Sequence, residues 1–182
     1  MVAVIVLAVL AATGVLGGST KTYVSVPVLT PEERFELIQE RISNVVYDPA
    51  SLQSMNSPQQ NALQWLATED TFHQDIVEID ATLQEKLEQR YSLAVFYYAL
   101  YGATWFSNDG WLDSEREECS WQFISCDDDN RVVAIDTLGS RQNIRGRIPS
   151  ELQQISSLRK FPTVNVPFLV TMSITSYEIS LS

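Results

Sequence analysis

Two short stretches constrain this chain more than anything else in it. The first, Cys119-Ser-Trp-Gln-Phe-Ile-Ser-Cys126, gathers both cysteines and Trp121 into one loop. The second, Arg145-Gly146-Arg147-Ile148-Pro149-Ser150-Glu151-Leu152, sets a glycine, an isoleucine and a proline at close spacing. The cysteines follow an apolar, secretory-like leader. That pairing of features suggests an oxidising compartment and one local disulfide, with two buried free thiols as the alternative. A metal site is a poorer reading, because two cysteines and one distant histidine cannot complete a tetrahedral set without carboxylates.

Residues 1–18 carry no charged side chain and are almost wholly Val, Ile, Leu, Ala and Gly. As a helix they would rise roughly 27 Å, just short of the ~30 Å hydrocarbon core of a bilayer. The segment reads as a transmembrane anchor or as the apolar part of a signal peptide, with Gly17 and Ser19 suiting cleavage before Thr20. Both readings put the rest of the chain at or across a membrane: single-pass with the helical and repeat region outside, or secreted if the leader is cleaved. The formal charge of -11 falls entirely on later residues. Such a chain repels phosphate backbones, and no Lys/Arg cluster is large enough to offset that, so nucleic acid is excluded as a partner.

Residues 19–30 read as an extended linker. Thr30-Pro31-Glu32-Glu33 is a helix start: a hydroxyl to cap Glu33, a proline for the first position, and acids for the dipole. Phe35, Ile38, Ile42, Val45 and Val46 then share a face, and Asp48-Pro49 is expected to end the helix. Ser57-Pro58-Gln59-Gln60 opens a second helix carrying Ala62, Leu63, Trp65 and Leu66 and fading near Glu69-Asp70. The third places Leu83, Leu87, Tyr91, Ala94, Val95 and Tyr98 on its apolar side and Glu85, Lys86, Glu88 and Arg90 on its wet side. Gly102 is expected to stop it. Beyond Ala103 come tryptophans in loops, the turn Asn108-Asp109-Gly110, and a short strand within Arg131–Asp136.

Cys119, Trp121, Phe123-Ile124 and Cys126, followed by Val132-Val133-x-Ile135, Asn143-Ile144 and Gly146-x-Ile148-Pro149, resemble the N-terminal cap and first repeat of plant-type leucine-rich repeat proteins. The helices before them, with Ser-Pro-Gln-Gln-x-Ala-Leu-x-Trp-Leu at 57–66, resemble the juxtamembrane region of membrane-anchored repeat proteins of algae. The resemblance covers about residues 57–161. It implies a Cys119–Cys126 staple, Val133 and Ile135 on a repeat strand, and Asn143 bonding backbone left over by the turn. Gly146 would allow tight passage, Pro149 would start the helical return, and Leu152, Ile155 and Leu158 would point inward. Residues 162–182 depart from the repeat: Val164, Val166, Phe168, Val170, Met172 and Ile174 alternate as in a strand.

The expected architecture is therefore mainly α: a leader (1–18), a linker (19–30), three helices (31–102), a disulfide-stapled cap with the start of a truncated α/β solenoid (103–161), and an atypical tail (162–182). The expected function is recognition of a protein or peptide ligand by a non-enzymatic, membrane-associated or exported protein. The alternative is a truncated product with no binding function of its own. No catalytic residue and no cofactor is assigned. His73 with Asp70, Asp75 or Glu78 lacks a positioned nucleophile, and Asp127-Asp128-Asp129-Asn130 lacks the glycine and distal glutamate of a calcium loop, so it reads as a solvated turn.

Overall fold

A computed structural model describes residues 29–71, 80–136, 143–161 and the strand at 178–180. The leader, His73 with Asp75 and Glu78, and the alternating tail from Val164 to Ile174 lie outside the described residues.

Helix α1 spans Pro31–Ile42. Its start is as expected: the Glu33 amide donates to the Thr30 hydroxyl at 3.2 Å, and the Thr30 amide donates back to the Glu33 carboxylate at 2.9 Å. The end differs. The helix stops at Ile42, and Val45 and Val46 are buried in the turn beyond it. Asp48 instead opens a new element, its carboxylate accepting from the Ala50 amide at 3.0 Å at the head of the 3-10 turn Pro49–Gln53. An aspartate before a proline caps a following helix as readily as it ends a preceding one.

Helix α2 runs Pro58–Thr68, capped where Ser57 accepts from the Gln60 amide, and buries Ala62, Leu63, Trp65, Leu66 and Ala67. Arg34 of α1 reaches across to its C-terminal end and donates to the carbonyls of Leu66 and Asp70 at 3.1 and 3.0 Å. That cation serves carbonyls which a helix end leaves without internal donors. Helix α3, Ala81–Ala99, is capped by Asp80 and lies centrally, packing on both α2 and α1. It buries nine consecutive-turn positions from Leu87 to Phe96, so its dry surface is broader than one stripe.

Three expectations fail on α3. Leu83 is exposed, at the border of an open cleft beside the disulfide. Arg90, assigned to the wet side, is completely buried. Gly102 does not supply the left-handed stop: Tyr101 does, at φ 53°, and Gly102 begins a 3-10 turn. The glycine is required for space, since a Cβ there would stand 2.1 Å from the Tyr97 ring.

The segment after α3 wraps its tryptophans onto this helical face. Trp105, Trp111 and Trp121 are all buried, and with Trp65 and Phe96 they form one chain of ring contacts at 5.2–6.0 Å. Strand β1 (Ile124–Cys126) pairs antiparallel with β2 (Val132–Ile135), with Ile124 opposite Ile135. The chain then returns to β2 from its other side. Lys160 bridges Ala134 in parallel, the Arg159 and Lys160 amides donate to the Val133 carbonyl, and the Ile135 amide donates to the Lys160 carbonyl. The return path includes the 3-10 turn Ser150–Gln154 after Pro149 and buries Ile144, Leu152, Ile155 and Leu158. Strand β3 (Arg145–Arg147) pairs antiparallel with β4 (Glu178–Ser180). The described residues are mainly helical with two small sheets, and one apolar cluster runs from Ile38 to Phe161. One return of chain is present among them, without a stack of coils.

Candidate functional site

The most highly organised part of the molecule is the joint between α3 and the stapled loop. Cys119 sits in the 3-10 turn Glu118–Ser120 and Cys126 ends β1, and the two form a disulfide with Cα atoms 5.6 Å apart. The pair is therefore bridged and not free. Glu118, next to the bridge, is almost fully buried, which a carboxylate tolerates only with compensating donors. Gln89 Nε2 donates to it at 2.7 Å and Arg90 Nη1 at 3.1 Å.

Arg90 is the centre of the joint. Its Nε and Nη2 donate to the two oxygens of Asp70 at 2.8 and 2.7 Å, a fork-on-fork geometry. Nη1 also meets the Arg116 carbonyl at 2.9 Å, and Nη2 the Asp113 carbonyl at 3.1 Å. The guanidinium face lies 5.1 Å from the Trp65 ring and 5.0 Å from the Trp121 ring. Planarity and five fixed donors are what allow one side chain to do all this; an ammonium could not. Arg34, near Asp70, brings a second cation to the same cluster; burial lowers its pKa, and the Asp70 carboxylate partly offsets that. Two arginines thus face two buried carboxylates.

Gln89 extends the joint into the sheet. Its amide oxygen accepts from the Val132 amide at 2.7 Å, fixing the first residue of β2 to α3. Lys86 donates to the Asn130 carbonyl at 2.6 Å. Between these residues and the bridge lies an open cleft of about 300 Å³, bordered by Thr82, Lys86, Glu117, Cys119 and Asp129.

The acidic turn beside it is tied up internally. Asp127 accepts from the amides of Asp129 and Arg131, and Arg131 closes on Asp127 and Asp129 at 2.9 and 3.1 Å. The Arg131 amide, and then its guanidinium, hold the Asp127 carboxyl below the usual carboxylate range. Among the described residues no three His, Cys, Asp or Glu side chains gather as metal ligands do. Asp70, the one described member of the acid–base grouping considered around His73, is committed to Arg90.

The signature positions fall as follows. Trp121, Ile135, Pro149, Leu152 and Leu158 are buried, while Val133 and Ile148 are half-buried. Gly146, at φ 110°, presses on the C-terminal end of α3, where a Cβ would meet the Ala99 carbonyl oxygen at 2.2 Å. Asn143 stands at φ 55°. Its Nδ2 donates to the Thr104 carbonyl at 3.1 Å, joining the coil to the segment after α3. Arg90, Gln89 and Glu118 were missed in the sequence, although a signal existed: Arg90 falls three residues after Leu87 and four before Ala94, inside the apolar stripe.

No family model, curated protein or solved structure matches the chain.

Proposed function

We propose that this chain is a non-enzymatic recognition protein, attached to a membrane or exported, built on the cap and first coil of a leucine-rich repeat. The observation that carries the reading is the path of β2. A disulfide-stapled strand pairs with it antiparallel on one side, and the chain returns to it in parallel on the other at Lys160. A repeat coil whose first strand is covered by a cap has this connectivity. Packing of α3 on the turn Ser150–Gln154 supports a capping role for the helices, since a coil must have its open end covered. A ligand of protein or peptide type is what the resemblance implies.

Attachment to a membrane rests on residues 1–18 alone. Among the described residues no helix is long and apolar enough to cross a membrane. The test is fractionation of the protein from its native host with non-reducing peptide mapping. Carbonate-resistant association with an intact Met1 end is expected for the anchor, and a mature end near Thr20 for export, each with a Cys119–Cys126 crosslink. An intracellular, carbonate-extractable chain with two free thiols overturns the reading.

A further inference from the structure

The charges of this protein are divided by region. Residues 143–161 carry four cations, Arg145, Arg147, Arg159 and Lys160, against the single carboxylate of Glu151, which is buried. Over the rest of the described chain carboxylates outnumber cations about three to one. Lys160 is paired with Asp136, but among the described residues no carboxylate pairs with Arg145 or Arg147, and both are exposed. They sit two apart on β3, on the face opposite the one that Gly146 turns to Ala99.

The segment that meets this strand at 143–146 carries exposed aromatic residues. Asn143 is bonded to Thr104 and Gly146 abuts Ala99, so the segment 143–146 runs along residues 99–104. Tyr101 lies in that stretch and Phe106 follows it; they are 62 % and 78 % exposed. Tyr101 is also held at a positive φ, which costs a bulky residue about 1–2 kcal/mol. That conformation ends α3, and it leaves the Tyr101 ring in water.

We infer that the Arg145–Arg147 strand with Tyr101 and Phe106 is a docking surface for a short, extended acidic segment of a partner protein. The spacing favours this chemistry. Residues two apart on a strand are about 6.5–7 Å apart, which is also the spacing of alternate side chains on an extended peptide. Alternating carboxylates would therefore meet both guanidinium groups, and an apolar residue beside them would cover the aromatic rings. A long polyanion or an anionic bilayer suits the surface less well, because it would extend onto the acidic remainder of the molecule and be repelled there. This gives the partner of the recognition reading a chemistry and rests on that reading only in requiring a partner; membrane attachment and the cap do not enter it.

The test is fluorescence anisotropy on the full chain with a labelled peptide alternating Glu and Val and ending in Phe. Comparators are its Gln-Val counterpart, a peptide of the same composition with the acids in one block, a polygalacturonate oligomer and phosphatidylserine vesicles. Binding of the alternating peptide is expected, weakening with salt, and falling roughly tenfold in R145Q/R147Q as two charge-assisted contacts are lost. Phe106→Ser should weaken it further, while R116Q, which alters an exposed arginine of the acidic region, should leave it unchanged. The inference is overturned if the alternating peptide does not bind, if R145Q/R147Q binds it equally well, or if the block peptide, polygalacturonate or vesicles bind as tightly. Because fractionation and thiol mapping test the recognition reading separately, either can fail without the other.

Discussion

Arg90 of α3 and Asp70, just past the end of α2, form a buried two-bond ion pair at 2.7 and 2.8 Å, with both side chains fully removed from solvent. The pair joins two helices, and through the Asp113 and Arg116 carbonyls and Glu118 it also gathers the loop that carries the disulfide. Breaking one side of a buried pair leaves an uncompensated charge and costs about 3–5 kcal/mol. Asp70→Asn and Arg90→Met are each expected to lower unfolding free energy by that order in urea titrations. Arg90→Lys should recover little, because an ammonium cannot fork onto Asp70 while also reaching both carbonyls and stacking between Trp65 and Trp121. If Arg90→Lys unfolds at the wild-type urea concentration, the geometry of the guanidinium is irrelevant and this account is wrong.

The two crowded glycines should respond differently to alanine. At Gly146 the obstacle is backbone, the Ala99 carbonyl oxygen, and the φ of 110° is itself unsuited to an L residue. At Gly102 the obstacle is a side chain, the half-buried Tyr97 ring, and the backbone there is not at a positive φ. Gly146→Ala is therefore expected to cost more than Gly102→Ala, and only Gly102→Ala should be partly rescued by Tyr97→Leu. Equal loss in both variants, with no rescue, would contradict the distinction.

How far the sequence foretold this arrangement depended on whether the information was local. The start of α1 was legible because Thr30, Pro31 and Glu33 complete their own hydrogen bonds within one turn. The starts of α2 and the turn at Asn108–Gly110 were legible for the same reason. Arg90 was misread because charge was weighed above position, and its partners lie 20 and 28 residues away. Gly102 was misread because a glycine after a helix suggests a positive φ, whereas the crowding by Tyr97 is visible only in three dimensions. The Asn143–Thr104 bond was not legible, since Thr104 lies 39 residues earlier.

Three tyrosines give the fold an alkaline limit. Burial pushes the Tyr98 phenol up to about 12, with Glu69 and Tyr97 adding to the effect. Burial likewise raises Tyr91, aided by Glu151, and raises Tyr97 against the lowering influence of Asn108. A phenol with a raised folded-state pKa contributes fully below the unfolded value of about 10 and loses that contribution as pH climbs through the folded value. The urea midpoint is therefore expected to fall between about pH 10 and 12, and Tyr98→Phe should make the fall shallower. A midpoint that stays flat over that range would refute the burial of these hydroxyls.

Among the described residues, Glu151 is the buried acid with no cation among its hydrogen-bond partners. It is 1 % exposed on the turn Ser150–Gln154, where Gln59 Nε2 donates to one oxygen at 3.1 Å and the Ser150 hydroxyl approaches the other at 3.4 Å. Both partners are neutral, and Tyr91 packs nearby with its hydroxyl aimed at the Gln59 carbonyl. Replacing a buried charge by a neutral group of the same shape removes a desolvation cost while keeping acceptors in place. Glu151→Gln is thus expected to be neutral or stabilising, by up to about 1 kcal/mol, because its carbonyl can accept from Gln59 and its amide can donate to the Ser150 oxygen. Glu151→Ala should instead destabilise by about 1 kcal/mol, since it removes the acceptor of the half-buried Gln59 amide. The contrast between the two variants, measured by urea unfolding at neutral pH, is the readout. Should Glu151→Gln be as damaging as Glu151→Ala, the negative charge itself is needed at this position, and a cationic partner for the turn would have to be sought.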